Sequence, residues 1–310
     1  MGSFLDMMVV SPKSTQLDII SGIVGWERLR YRLNKILDRS GLGPRGYDPL
    51  SLFKALVLQN LYGLSDPGME EMLYDRLSFR RFCGFSLEDK LPDETTLCRF
   101  RGALGGKTDK LFDLVLSDIK AKGIAVKTGT IVDASVIKSA TRPPKGGEVS
   151  KTDPEAGWTK KGEDYIHGYK AHVGSCHKTG IIKRVIATSA DVHDSNVFGQ
   201  LLEEGTPFVT ADKAYDSRAN RELLEEHRIQ DGLLYRRRAH QKSPAWHNSF
   251  NKCWSKIRSN IERIFGHLKT VHGLTQTKYK GWVKNQVHFD LLAIAYNLKR
   301  TATLLRRTTG

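Results

Sequence analysis

The chain has 310 residues, 39% of them hydrophobic and 27% charged, enough for one large domain or two ordinary ones with a real core. No apolar run approaches the roughly 18 residues that cross a bilayer, the first residues (MGSFLDMMVV) lack a secretory pattern, and Cys83, Cys98, Cys176 and Cys253 are scattered without a CxxC, so a membrane span, a disulfide framework and a zinc ribbon are excluded and a reducing cytoplasm is expected. The net charge of +15 is concentrated: Leu234 to Gly310 hold 16 Lys and Arg against two acids, Glu262 and Asp290, or +14 of the total, which argues for a polyanionic partner, nucleic acid before membrane.

In chain order, the first 125 or so residues read as helical. WERLRYRLNKIL places Leu29, Leu33, Ile36 and Leu37 on one helical face, and DPLSLFKALVLQNLYGL is an apolar helix with Asp48 as its cap and Pro49 at its first position. PGMEEMLYDRLSFRRFCGF and PDETTLCRFRGAL give two more, the second opening on Asp93. Arg80, Arg81, Arg99 and Arg101 near helix ends fit either a helix-turn-helix-like reader of DNA or a plain helical packing domain. From Val126 the period changes. TGTIVDASVI is a β-branched run, and Lys138 to Asp164 reads as a long loop. YIHGYKAHVGS and GIIKRVIATSA flank a CHKTG turn as an antiparallel hairpin. DSNVFGQLLEEG is expected to be helical, PFVTADKAY a buried strand, SRANRELLEEHRI a helix and QDGLLYRRR a strand. One helix through the 250s and 260s and a long amphipathic one, NQVHFDLLAIAYNLKRTATLL, close the chain. Three strands, helix, strand, helix, strand, helix is a mixed α/β order, that of a ribonuclease-H-like fold.

Two acids interrupt apolar strands: Asp133 in TIVDASVI and Asp212 in FVTADKAY. An ionised carboxylate in such a strand is expensive unless paired, and two of them on neighbouring strands can share a cation. In RSNIERIFGHLK a third acid, Glu262, falls within about 40° of Arg258 and Lys269 on a helix, beside a stripe of Ile257, Ile261, Ile264, Phe265 and Leu268. Three hard oxygen donors make a ligand set for one or two Mg²⁺ or Mn²⁺ ions, and a pair of such ions serves phosphodiester chemistry. Asp191, Asp194 and Asp216 are rival acids, each at a helix start or loop where an N-cap explains it.

The segments IVDASVIKSA, HGYKAHVG, TSADVHDS, ADKAYDS and RSNIERIFGHLK resemble the transposases of bacterial insertion sequences with a DDE catalytic triad, in the IS-five-like group allied to the IS-four group, and LPDETTLCRFR is similar to that group's N-terminal signature. The similarity extends over roughly Pro49 to Leu305, with the motifs in the family's order. It implies a ribonuclease-H-like α/β catalytic domain over 126–310, with basic C-terminal helices, behind an all-α domain over 1–125 that binds DNA ends and dimerises. It also implies metal-dependent DNA cleavage and joining, with Asp133, Asp212 and Glu262 as the triad. Asp133 would bridge both Mg²⁺ ions, Mn²⁺ being able to substitute, and Asp212 and Glu262 would each hold one. The family pattern places Tyr where this chain has Ser255, so a hydroxyl remains at that position but not a ring.

Arg236, Arg237, Arg238, Lys252, Lys256, Arg258 and Lys269 are the DNA-contact candidates, to phosphate for the most part. Trp158, in the expected loop, could stack on an unpaired base or dock on its own domain. His167, His172, Cys176 and His177 lack zinc spacing, because strand alternation splits them across faces, and His193 reads as a satisfied loop residue. The reading that results is a DNA transposase of the bacterial cytoplasm and nucleoid. Its partners would be double-stranded DNA, at the element ends and the target, and a second copy of the chain or more. A nuclease of the same fold that does not join strands, and a non-catalytic DNA-binding regulator, remain as alternatives.

Overall fold

The computed structural model describes residues 15–37, 46–126, 128–145, 148–237 and 244–308. The chain divides into two compact units, one formed by residues up to Ile124 together with those from Asp290 on, the other by Ala125–Phe289. The first is helical: α1 Gln16–Ile23, α2 Trp26–Leu37, α3 Pro49–Tyr62, α4 Asp66–Asp75, α5 Leu77–Cys83, α6 Glu94–Leu104 and α7 Thr108–Ala121.

Helix α3 is the centre of this unit. Asp48 caps it by accepting from the Ser51 N–H (3.2 Å), Pro49 opens it, and Gly63, at φ +68, closes it. Phe53, Leu56 and Leu58 are fully buried, each contributing roughly 1.5–3 kcal/mol of hydrophobic stabilisation. The single helix expected from PGMEEMLYDRLSFRRFCGF is instead two, α4 and α5, because Arg76 takes an extended backbone between them. The apolar stripe explains the break. On one straight helix Phe79 would lie about 120° round from Leu73, so Met69 and Leu73 could not share a core face with Phe79 and Phe82.

The second unit is built on a six-stranded mixed sheet: β1 Thr130–Lys138, β2 Gly157–Lys161, β3 Asp164–Cys176, β4 Ile182–Ser189, β5 Phe208–Ala211 and β6 Gln230–Leu233. The order is β2-β3-β1-β5-β6, with β4 also paired to β3; β1 runs antiparallel to β3 and parallel to β5. Strand β2 lies in the stretch read as loop, and its pairing with β3 turns that segment into a second hairpin. DSNVFGQLLEEG forms no α-helix but two 3-10 turns, Asp194–Asn196 and Phe198–Leu201, a run in which Val197 and Gly199 carry little helical preference. Helix α8 (Arg218–Glu226) joins β5 to β6. On one sheet face Val132, Val209, Ala211 and Leu233 pack with Phe198, Leu201, Tyr215 and Leu224. The opposite face meets α9 (Ala245–Arg258) and α10 (Asn260–His272); Trp254 lies against Phe208 at 5.2 Å between ring centres. The last helix, α11 (Trp282–Thr308), belongs to the second unit as far as Phe289 and to the first from Asp290 on, where the Thr108 hydroxyl donates to the Asp290 carboxylate (2.5 Å). Those last residues, expected with the sheet, thus group with the helices.

The pairing of β1 with β3 leaves no room at Gly168, where a Cβ would stand 2.1 Å from the Ile137 carbonyl oxygen. Gly168→Ala is therefore expected to lower stability by about 2 kcal/mol in denaturant titration. Gly102→Ala, a helical position with open space around it, should be neutral or stabilising by up to about 1 kcal/mol.

Candidate active site

The site grows from strand alternation. Val132 points into the apolar face of the sheet, so its neighbour Asp133 must emerge on the other side. Val132 pairs with Ala211 in the parallel ladder, and Asp212, still extended at φ −68 and ψ 169, continues β5 by one residue. The two aspartates therefore leave adjacent strands at the same level and on the same face. Asp133 is the more enclosed. Burial pushes its carboxyl up to about 6, against the pull of the Arg258 guanidinium and of the Ala134 N–H (2.9 Å), and the carboxylates of Asp212 and Asp194 push the same way as burial. Asp212 accepts from the Lys213 N–H (2.7 Å) and so starts a short 3-10 turn.

Glu262 arrives from across the sheet. The continuous helix expected through the 250s and 260s is two helices that meet at Ser259. The Ser259 hydroxyl donates back to the Lys256 carbonyl (2.9 Å) and the Glu262 N–H closes onto the Ser259 carbonyl (3.2 Å), a side-chain bond and a tight turn of the kind that bends helices. Arg258 ends α9 and Glu262 lies in the first turn of α10. The guanidinium of Arg258 donates to both acids, to Asp133 Oδ2 at 3.1 Å and to Glu262 Oε1 at 3.2 Å. Arg258 is thus an internal counter-ion, with its side chain 18% exposed, whereas Glu262 is 63% exposed. Lys269, about two turns further along α10, is half-buried; burial lowers its ammonium pKa, Lys161 lowers it further, and Asp133 raises it.

The remaining candidates separate clearly. Arg236, Arg237, Lys252 and Lys256 are exposed; Arg238 lies outside the described residues. Asp216 is bound by Arg221 (2.9 Å) and the Arg236 N–H (2.7 Å), a structural role, and Asp191 is exposed beyond β4. Asp194 is not an N-cap, because His193 fills that position. It pairs with Lys170 (2.9 Å) and adds its charge to the field on Asp133. Its loop position alone does not mark Asp194 as part of the group; the sequence signal is Lys170, an internal lysine in the buried strand HGYKAHVG. Tyr215 was also missed. Its hydroxyl is buried without a hydrogen-bond partner, and burial, then Asp194, Asp133 and Asp212, raise its pKa. Ser255 is exposed on α9. His167, His172 and His177 are each hydrogen-bonded within the unit, to the Ala156 carbonyl, the Thr188 hydroxyl and the Thr128 carbonyl. Trp158 lies in β2 against the His167 ring (5.1 Å). In the helical unit Arg80 binds the Ser86 and Leu87 carbonyls, Arg81 pairs with Asp18 and the buried Arg101 with Asp66; Arg99 is exposed.

Carboxylate oxygens from β1, β5 and α10 are hard donors of the type that Mg²⁺ and Mn²⁺ accept. Asp133 is enclosed enough to resist ionisation and shares its one guanidinium with Glu262, so the group is short of positive charge. The donor type and the local excess of negative charge suit a divalent cation by chemistry. Among the described residues, no three His, Cys, Asp or Glu side chains already converge on an ion-sized point, and the cation between Asp133 and Glu262 is Arg258.

Adjacent parallel strands thus carry Asp133 and Asp212 on one face, and Arg258 links Asp133 to Glu262 of a helix packed there. Residues 124–298, more than half of the chain and inclusive of Asp133, Asp212 and Glu262, match the family model described as Transposase DDE domain, and residues 6–103 match Transposase domain (DUF772). The chain belongs to the DDE transposases of insertion sequences. It is similar also to a solved piggyBac transposase synaptic complex with hairpin DNA, at 10% identity and a TM-score of 0.47, over 94% of this chain and 74% of that one. No helix among the described residues is long and apolar enough to cross a membrane.

The two ends of the guanidinium bridge differ in environment, and substitutions should show it. Arg258→Gln, which strips the enclosed Asp133 of its counter-ion, is expected to cost about 2 kcal/mol of stability. Glu262→Gln, at an exposed position, should change it by less than about 0.5 kcal/mol. Chemical denaturation of both variants at pH 7.5 without added metal makes the comparison.

Proposed function

We propose that this transposase cuts DNA at the ends of its element and joins the freed ends to target DNA, with Asp133, Asp212 and Glu262 as the catalytic acids. The observation that carries the reading is the Arg258 bridge between Asp133 and Glu262, at the place where Asp212 leaves the neighbouring strand. Two Mg²⁺ ions, for which Mn²⁺ can substitute, would be held by these three carboxylates and would supply activation of the attacking oxygen and charge for the leaving one.

The chain's own groups do the rest. Asp133 is carried on a strand paired on both sides, so its carboxylate is placed with little freedom to move. Arg258 keeps Asp133 and Glu262 near one another and, with Lys269, presents positive charge to a DNA phosphate. Arg236, Arg237, Lys252 and Lys256 add exposed cations for the backbone of double-stranded DNA, which gives affinity without sequence choice. Hydrolysis at the element's end frees a 3′-hydroxyl, and that hydroxyl then attacks the target strand. Because two ends must be brought together, the working form is a homodimer or larger assembly, acting on DNA in the bacterial cytoplasm. The helical domain is assigned the reading of the ends, and the motif resemblance supports membership of the IS-five-like group.

Glu262→Gln should retain binding to element-end DNA, measured by fluorescence anisotropy, while cleavage in Mg²⁺ falls by about 10²-fold or more. Cleavage at the wild-type rate would sink the assignment. Pre-cut ends incubated with a plasmid separate transposition from plain nuclease action, because a nuclease that does not join strands yields no joined product.

A further inference from the structure

Away from the acids, the second unit has a cavity of about 580 Å³ at the far end of β1. Lys138 and Arg142 provide its cations, Thr141 and Gln276 its neutral polar groups, and Tyr165 an aromatic ring that is 69% exposed; Asp164 is the acid in its lining. Lys138 and Arg142 are both exposed, and neither is paired with a carboxylate among the described residues. The Tyr165 ring is exposed at the cavity mouth, with the Lys160 ammonium, its cross-strand partner, 5.6 Å from its centre.

The strand register ties this cavity to the acids. Asp133 pairs with Val173, and counting back along β3 by twos through Ala171, Tyr169 and His167 brings Tyr165 to the same face of the sheet. Lys160, paired with Tyr165 across the β2–β3 hairpin, shares that face. Lys138, the last residue of β1, is five residues from Asp133, at most about 17 Å, and by alternation faces the other side of the sheet, so the cavity wraps the end of the strand; Tyr165 is eight along β3 from Val173, at most about 26 Å. Between the acids and the hairpin stands Lys269, within electrostatic reach of both Asp133 and Lys161. Lys160 and Lys161 follow one another on β2 and so face opposite sides, Lys160 standing beside the Tyr165 ring.

We propose that this cavity is a second DNA-binding site, which holds the backbone of the strand being cut a few nucleotides from the reacting phosphate, with Lys138 and Arg142 on phosphate and Tyr165 against a sugar or base. At about 3.4 Å per nucleotide, strand distances of at most 26 Å put the held phosphate within roughly eight nucleotides of the cut. The site is a backbone clamp. Lys and Arg on phosphate fix register without reading bases, and the ring adds sequence-tolerant contact. The proposal rests on the reading above that Asp133, Asp212 and Glu262 act on DNA.

The test pairs protein variants with modified DNA. Single neutral methylphosphonates are placed one at a time within ten nucleotides on either side of the scissile bond, in element-end DNA and, separately, in a target duplex. Binding of full-length wild type, of K138Q/R142Q and of Y165A is measured by anisotropy from 50 to 200 mM salt. All three residues are exposed, so the variants should keep the wild-type melting temperature. The expected result is a salt slope shallower by about 1.8 in the double variant, two phosphate contacts at about 0.9 each. At one or two positions within eight nucleotides of the cut, the methylphosphonate should weaken wild type several-fold and leave the double variant unaffected. The side on which those positions fall, and whether they lie in end or target DNA, identifies the DNA held. Y165F should restore what Y165A loses. An unchanged slope, or strictly additive effects at every position, overturns the cavity assignment and leaves the acid site standing, whereas wild type that binds no DNA at all overturns both.

Discussion

The unit that carries the acids is organised around one uncomfortable charge. Asp133 follows Val132 in a strand whose other neighbours are Ile131 and Ala134, and enclosure, helped by Asp212 and Asp194 and opposed by Arg258, pushes its carboxyl up to about 6. A carboxylate there is tolerable because Arg258 stands 3.1 Å away, and Arg258 can stand there because α9 ends at that residue and packs over the sheet face opposite the apolar one. The same guanidinium reaches Glu262, so the break at Ser259, the packing of α9 and α10 and the spacing of two acids are one constraint. A buried ion pair is weak support for stability, and its value to this protein lies in placing two carboxylates that a fold alone would hold apart.

The surrounding electrostatics are graded. Asp212 and Asp194 oppose the ionisation of Asp133, Lys170 neutralises Asp194, and Tyr215 sits buried beneath the group with its hydroxyl unpaired. Negative charge is therefore in excess around Asp133 even after Arg258 is counted. Under the proposed function such an excess would be offset by a cation, and the exposed lysines of α9 would meet a phosphate.

Much of this was legible in the residues. Apolar strands interrupted by Asp133 and Asp212 gave away the sheet and its acids, and the i, i+4 spacing of Arg258 and Glu262 survived a helix break that no local pattern announced. Periodicity failed where side-chain bonds or rotation of the apolar stripe decided the outcome: Ser259 bonding back to Lys256, and Phe79 turned away from Leu73. The role of Asp194 was hidden because its partner Lys170 is 24 residues earlier on another strand, and only the folded sheet makes them neighbours. Of the four arginines that fitted either a DNA reader or a packing domain, Arg80, Arg81 and Arg101 are bound within the helical unit, which charge counting cannot foresee.

The central claim is that Asp133, Asp212 and Glu262 form one cation-binding, DNA-cutting centre in which Arg258 serves as internal counter-ion. The most direct measurement is a structure of the full chain with Mn²⁺ and element-end DNA, in which the metal is located by its anomalous signal. The account predicts Mn²⁺ within about 2.0–2.6 Å of oxygens from all three acids, beside the cut phosphate, with Arg258 turned toward DNA. Mn²⁺ held instead by Asp194 or Asp216, or a cut phosphate distant from Asp133, would contradict it.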